Sequence, residues 1–175
     1  MLAPIDHSTP VRRFSANVSQ LMQAKQMALL DGLSALMNDA DALLALVPPE
    51  ALATRSASYT RHLVCADEHG SYSAMLLVWH PGQHSPVHGH KTWCTYKVLQ
   101  GTLTEHHYHW NDADGLAEPR GAVQRRSGDV VSAPAGLTAI HRLGNESETV
   151  AVSLHVYGVE RDRIATHVNL LVQAA

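Results

Sequence analysis

From Ser15 to Leu46 apolar residues recur at helical spacing, with Leu21, Met22, Ala24, Met27, Leu30, Leu33, Leu36 and Met37 forming the stripe. The pattern predicts two or three short helices, with breaks near Asp31–Gly32 and Asn38–Asp39. Pro48–Pro49 closes that region, because proline cannot continue a helix. From about Tyr59 the period shortens. Strands are predicted at Tyr59–Val64, Tyr72–Trp79, Trp93–Leu99, Leu103–Trp110, Asp129–Ser132 and Thr149–Tyr157. Turns at Pro81–Gly82, Gly101, Asp112–Gly115, Ser127–Gly128 and Pro134–Gly136 separate them. Helices first and then only closely spaced strands predict a single α+β domain over residues 1–175, mainly β. Residues 1–50 would form a short helical region and 51–175 a small β-barrel or jelly roll.

Composition narrows the function classes. The 175 residues are 45% hydrophobic and 17% charged, which suits one globular core. With a formal charge of −3 and no Lys/Arg cluster that could track a phosphate backbone, nucleic acid is not an expected partner. No apolar run is long enough to span a membrane, and the N-terminus has no apolar signal core. The expected location is cytoplasmic, and the presence of only two cysteines, Cys65 and Cys94, fits a reducing compartment. The unusual count is 13 histidines, the commonest metal ligand, which directs attention to their spacing.

His88 and His90 lie at i, i+2, which on a strand sends both imidazoles to one face. The strand Val150–Tyr157 alternates cleanly: Val150, Val152, Leu154 and Val156 face one way, and Ala151, Ser153, His155 and Tyr157 the other. A hydroxyl, an imidazole and a phenol in one row are costly to bury unless they hydrogen-bond one another around a site. "EHHYHW" (Glu105–Trp110) reads as a solvated strand face in preference to a second metal site, and His84 stands near enough to the metal loop to support it.

The run Gly82, five residues, His88, one, His90, three, Cys94, six, Gly101 resembles the first signature of the cupin superfamily, with Cys94 where most cupins carry glutamate. Gly128, Pro134, Gly136, His141 and Asn145 resemble the second, with two extra residues before the histidine. "SYTRHLV", "YKVLQGTLTE" and "AVSLHVY" are similar to segments of the thiol dioxygenase family, most closely cysteine dioxygenase type I, between about Tyr59 and Tyr157.

The resemblance implies that His88, His90 and His141 bind Fe(II), and that Arg61, preceded by Tyr59, holds a substrate carboxylate. It implies that Tyr157 stands beside the reacting centre, oriented by His155 and Ser153, that Trp79 walls the pocket, and that Cys94 can form a thioether to Tyr157. A neutral three-histidine face leaves the metal its full charge and about three open positions, suited to an anionic sulfur ligand. The implied activity is addition of both atoms of O2 to the sulfur of a small thiol carboxylate, L-cysteine first. Arg61 and Cys94 favour that branch over the one acting on 3-mercaptopropionate. Gly89 between the histidines and the segment "GVERDR" after Tyr157 depart from the family pattern and leave substrate choice open. A non-catalytic ligand-binding cupin and a zinc isomerase or hydrolase are the rivals from other classes. Oligomeric state is not read from the sequence.

Overall fold

The computed structural model describes residues 9–175. Residues 1–8 of the expected helical region lie outside the described residues. The region opens with one helix, α1 (Thr9–Met37), of 29 residues, and not with the short helices expected from the sequence. The predicted break at Asp31–Gly32 does not occur. Gly32 keeps an ordinary negative φ, and a single exposed glycine costs a helix only about 1 kcal/mol. Leu30 and Met37, both almost fully buried, flank it, and Met37 packs on the sheet. The break at Asn38–Asp39 is real and leads into a 3-10 turn (Ala40–Leu46) and α2 (Pro49–Ala53). The helical layer therefore runs to residue 53, slightly past the expected boundary at 50. The N-terminal half of α1 stands clear of the sheets, with Phe14 71% and Leu21 72% exposed. No helix among the described residues is long and apolar enough to cross a membrane.

Ten strands follow: β1 (Thr60–Ala66), β2 (Ser73–Trp79), β3 (His88–His90), β4 (Cys94–Gln100), β5 (Thr102–Asn111), β6 (Leu116–Arg126), β7 (Val130–Ala133), β8 (Gly136–Gly144), β9 (Ala151–Tyr157) and β10 (Asn169–Leu171). The short helix α3 (Ile164–His167) precedes β10. The strands form two five-stranded sheets, ordered β1-β2-β9-β4-β7 and β10-β3-β8-β5-β6. This is the jelly-roll form of the expected fold class, with two sheets and no closed barrel. The six predicted strands are all present. No strand signal marks β6, which carries Pro119 and Gly121 and is mostly exposed at a sheet edge, where the pattern loses its alternation. Nor does one mark β8, masked by its glycine start, or the three-residue β10.

The core has two layers. Between the sheets lie Met75, Leu77, Trp79, Tyr96 and Val98 from one side and Leu103 and Leu143 from the other. On the outer face of the first sheet Leu76, Val78, Leu99, Val152 and Leu154 pack against Met37, Val47 and Ala51 of the helical layer. β9 is the middle strand of its sheet and not a solvent edge, so both of its faces are used: aliphatics outward to the helices, polar groups inward. Lys97 is 3% exposed and its ammonium reaches Asp41 of the 3-10 turn at 2.8 Å, tying the helical layer to β4.

Candidate active site

Three imidazoles converge between the sheets. Register pairs His88 of β3 directly with His141 of β8. Two residues further along, His90 pairs with Gly136, so β8 uses five residues where β3 uses two. This bulge takes up the extra length that precedes His141 and swings it beside the other two histidines. The backbones approach closely here: a Cβ on Gly89 would lie 2.6 Å from the Gly136 carbonyl oxygen. No side chain fits at that position, which accounts for glycine between the two histidines. His88, His90 and His141 each offer a ring nitrogen within 4.8 Å of the others, and all three residues are buried. They form the one metal-ligand group of three or more among the described residues.

Hydrogen bonding fixes which nitrogens are free. Nδ1 of His88 lies 2.8 Å from the Pro86 carbonyl, an acceptor only, so Nδ1 donates and Nε2 keeps a lone pair. Nδ1 of His141 donates in the same way to Glu105 at 2.7 Å. His90 Nδ1 is buried without a hydrogen-bond partner. Burial, then the neighbouring His141, depress His88 to about 3 and His90 to about 4. Both are neutral near pH 7, so each ring keeps one nitrogen with a free lone pair. Glu105 is buried, but hydrogen bonds from His141 and Arg125 outweigh the cost of burial and hold its carboxyl at about 2. Arg125 grips Glu105 through Nε and Nη2, each at 2.7 Å, so the carboxylate is clamped from behind while it orients His141.

The row read from β9 is assembled as a chain of hydrogen bonds. Trp79 Nε1 donates to Ser153 Oγ at 2.9 Å, Ser153 Oγ meets His155 Nε2 at 2.9 Å, and Tyr157 Oη meets His155 Nδ1 at 3.1 Å. Burial holds His155 well below the usual imidazole range and Tyr157 well above the usual phenol range, so both are neutral. Cys94 of β4 is paired in register with Tyr157, and its sulfur lies 4.0 Å from His155 Nδ1. Burial and the Glu105 charge push its thiol up. At the mouth, Arg61 donates to the Tyr59 hydroxyl at 2.7 Å. The Tyr59 ring stacks on Trp79 with centroids 4.1 Å apart. A continuous set of contacts thus runs from the exposed arginine to the buried tyrosine.

The family model for cysteine dioxygenase type I matches residues 11–167. The chain belongs to the cysteine dioxygenase type I family. A Danio rerio cysteine dioxygenase type 1 is 39% identical over 107 residues, covering 57% of this chain and 50% of the relative. The Homo sapiens protein of that name is 34% identical over 104 residues, with the same coverages. The chain thus spans about half the length of the relatives it matches. Among solved structures, the protein TT1209 of Thermus thermophilus is similar at 24% identity and a TM-score of 0.48, over 64% of this chain and 94% of that one.

Ten residues singled out from the sequence line one pocket in this cysteine dioxygenase family member or stand in its wall: His88, His90, His141, Cys94, Tyr157, His155, Tyr59, Arg61 and Trp79 line it, and Ser153 stands behind it. Asn145 serves the fold instead, with its amide donating to the Trp79 and Thr149 carbonyls. His84 and His106 both reach Glu146, and neither contacts the three histidines. Sequence reading missed Glu105, Arg125, Tyr96 and Asn169. Tyr96 was findable, since alternation along β4 puts it on the same face as Cys94. It stacks on His155 at 5.1 Å, and its hydroxyl is buried without a partner. Glu105 sits in a quoted family segment, but its contact with His141 comes from the β5–β8 pairing, which local pattern does not encode.

Proposed function

We propose that the protein is an Fe(II)-dependent thiol dioxygenase that converts L-cysteine to cysteine sulfinic acid. The observation that carries this is a three-histidine group facing a pocket with an arginine at one end and the Tyr157–His155–Ser153 row at the other. The donor set fits a divalent metal. Each of the three imidazoles offers a ring nitrogen within 4.8 Å of the others, and Nδ1 of His88 and of His141 is engaged elsewhere, which leaves Nε2 of both for a metal. Iron bound there would supply an electron-rich centre at which thiolate and O2 can meet. The reaction balances without an external reductant: sulfur gives up four electrons, O2 takes them, and both oxygens end on sulfur.

The chain's own residues bind and orient. Arg61 would take the substrate carboxylate through two parallel hydrogen bonds, with Tyr59 holding the guanidinium and Trp79 holding Tyr59. Tyr157, neutral and oriented by His155, would donate a hydrogen bond to the reacting atoms, and Ser153 and Trp79 fix the imidazole from behind. The cross-strand pairing also supports a Cys94–Tyr157 thioether. Its S–H and a ring C–H would break, a C–S bond would form, and two electrons and two protons would pass to O2 as hydrogen peroxide. The crosslinked chain should be two hydrogens lighter by intact mass, and Tyr157→Phe should abolish that species.

The test is oxygen uptake by Fe(II)-loaded protein with L-cysteine and, separately, 3-mercaptopropionate, with sulfinate quantified. Cysteine should turn over, and Arg61→Ala should lower kcat/KM for it by roughly 100-fold, the scale of losing a charge-assisted carboxylate clamp. Preference for 3-mercaptopropionate would keep the reaction and overturn the role of Arg61. No sulfinate from either thiol with iron bound would sink the dioxygenase reading.

A further inference from the structure

Two separate spaces meet at the histidines. One opens toward Arg61 and is bounded by Tyr59, Trp79, His155 and Tyr157. The other lies on the opposite side, against Val131, Ala133, Ala139 and His107. His90, Cys94, Tyr96 and His141 are common to both linings, so the two spaces share a wall made of two of the three histidines and the cysteine. The opposite space holds about 150 Å³. We infer that this second cavity is a dioxygen-holding site and entry route, separate from the path of the thiol substrate.

Access order makes a second route useful. This inference rests on the dioxygenase reading, in which a thiol carboxylate fills the side between Arg61 and the histidines. Once it is bound there, the mouth at Tyr59 and Arg61 is blocked for a second substrate. The opposite cavity stays open. Its outer end is formed by half-buried Val131, Ala139 and His107, and its inner end by buried Ala133, Cys94 and Tyr96.

The chemistry of the lining selects a small neutral guest. Val131, Ala133, Ala139 and Cys94 give apolar walls with no space-filling side chain. The acidic group on the lining is Glu105, with His107 beside it at 3.5 Å, and no arginine or lysine lines the cavity to receive a substrate carboxylate. Arg125, the partner of Glu105, is already engaged through two nitrogens and is not part of the lining. The Tyr96 hydroxyl is buried on this lining with no hydrogen bond of good geometry, and the Glu105 carboxylate is its nearby acceptor. Xenon, small and uncharged, probes whether the apolar side of this volume is open to O2.

The test uses the full chain in two measurements. Crystals of the protein as purified are pressurised with xenon, and density is expected between Val131, Ala133 and Ala139. Fe(II)-loaded Val131→Phe and Ala139→Leu, which fill the cavity from two strands, are assayed at varied O2. KM for O2 should rise about fivefold or more, while KM for thiol and kcat at saturating O2 stay within about twofold of the parent. Xenon absent from the cavity overturns the inference without any assay. Xenon present with an unchanged KM for O2 in both variants overturns the route, as does a rise confined to KM for thiol. If neither variant folds, slower nitric oxide association after substrate addition to the Fe(II) parent, when xenon fills the cavity, supports the route, and an unaltered rate overturns it. If the parent makes no sulfinate while xenon still occupies the cavity, the dioxygenase reading has failed and the cavity has not.

Discussion

Glu105 sets the position of a histidine 36 residues further along the chain. It is 2% exposed and ionised, and it accepts from His141 at 2.7 Å while Arg125 holds it from the other side. Glu105→Gln keeps the volume and loses the charge, so the charge-assisted bond that orients the His141 ring is weakened. Metal affinity should fall by about 10–100-fold, read from Co(II) titration followed by absorbance. An affinity within twofold of the parent would mean that His141 is held by packing alone. Gly89 carries a second residue-scale expectation. Gly89→Ala drives a methyl into the Gly136 backbone, so the β3–β8 pairing must open. The variant should lose metal binding with little loss of the separate Leu76–Val152 core. Unaltered titration would refute the close-approach account. Legibility at this scale was uneven. His88 and His90 were visible because a strand repeats every two residues, so two ligands can be encoded locally. Glu105 was invisible because its meaning comes from a strand in another part of the chain.

Elements show where local signals compete with packing. α1 runs through Asp31–Gly32 although both residues favour a break. Burial of Leu30 and Met37 on either side outweighs one glycine's cost. A Cβ at position 32 would meet nothing within 4 Å, so Gly32→Ala should stabilise the protein by roughly 0.5–1 kcal/mol. A fall in the urea midpoint would show that the helix needs glycine there. Asp41 is the opposite case. Removing it leaves the buried Lys97 ammonium with only the Asn38 carbonyl at 3.2 Å. Asp41→Ala should cost about 1–3 kcal/mol, measured by the same unfolding. β9 was the most legible element, since its alternation separates an aliphatic face from a polar one whatever surrounds it. β6 and β8 were the least, because an exposed edge strand and a bulged strand both lose the period-two pattern on which a strand is recognised.

Across the whole molecule the buried site makes folding sensitive to acid. His88 and His90 fall from the ordinary 6.5 to about 3 and about 4 in the folded protein. Between those values and 6.5 the unfolded chain binds more protons than the folded one, so stability falls as pH drops through that window. Glu105 works in the same direction only lower down, between 4.5 and about 2. Metal-free protein should therefore lose several kcal/mol between pH 7 and pH 4, seen as a falling urea midpoint. A flat midpoint over that range would mean that the imidazoles are solvated. Added Zn(II) or Fe(II) should move the loss to lower pH, because a bound metal competes with the protons for the same lone pairs.

The sequence by itself determined the classes of element, the strand that carries Ser153, His155 and Tyr157, and the histidine pair at spacing two. These are local facts, set by side-chain direction along one strand, and neighbouring residues suffice to state them. It also held the family signatures, which drew His141, Arg61 and Cys94 into one reading through order along the chain. The tertiary structure alone decided that β8 bulges to bring His141 against His88, that Glu105 and Arg125 stand behind that histidine, and that a second cavity opens beyond Tyr96. Each of these depends on which strands lie side by side and in what register. Register is fixed by the packing of both sheets at once, and no single stretch of the chain contains it.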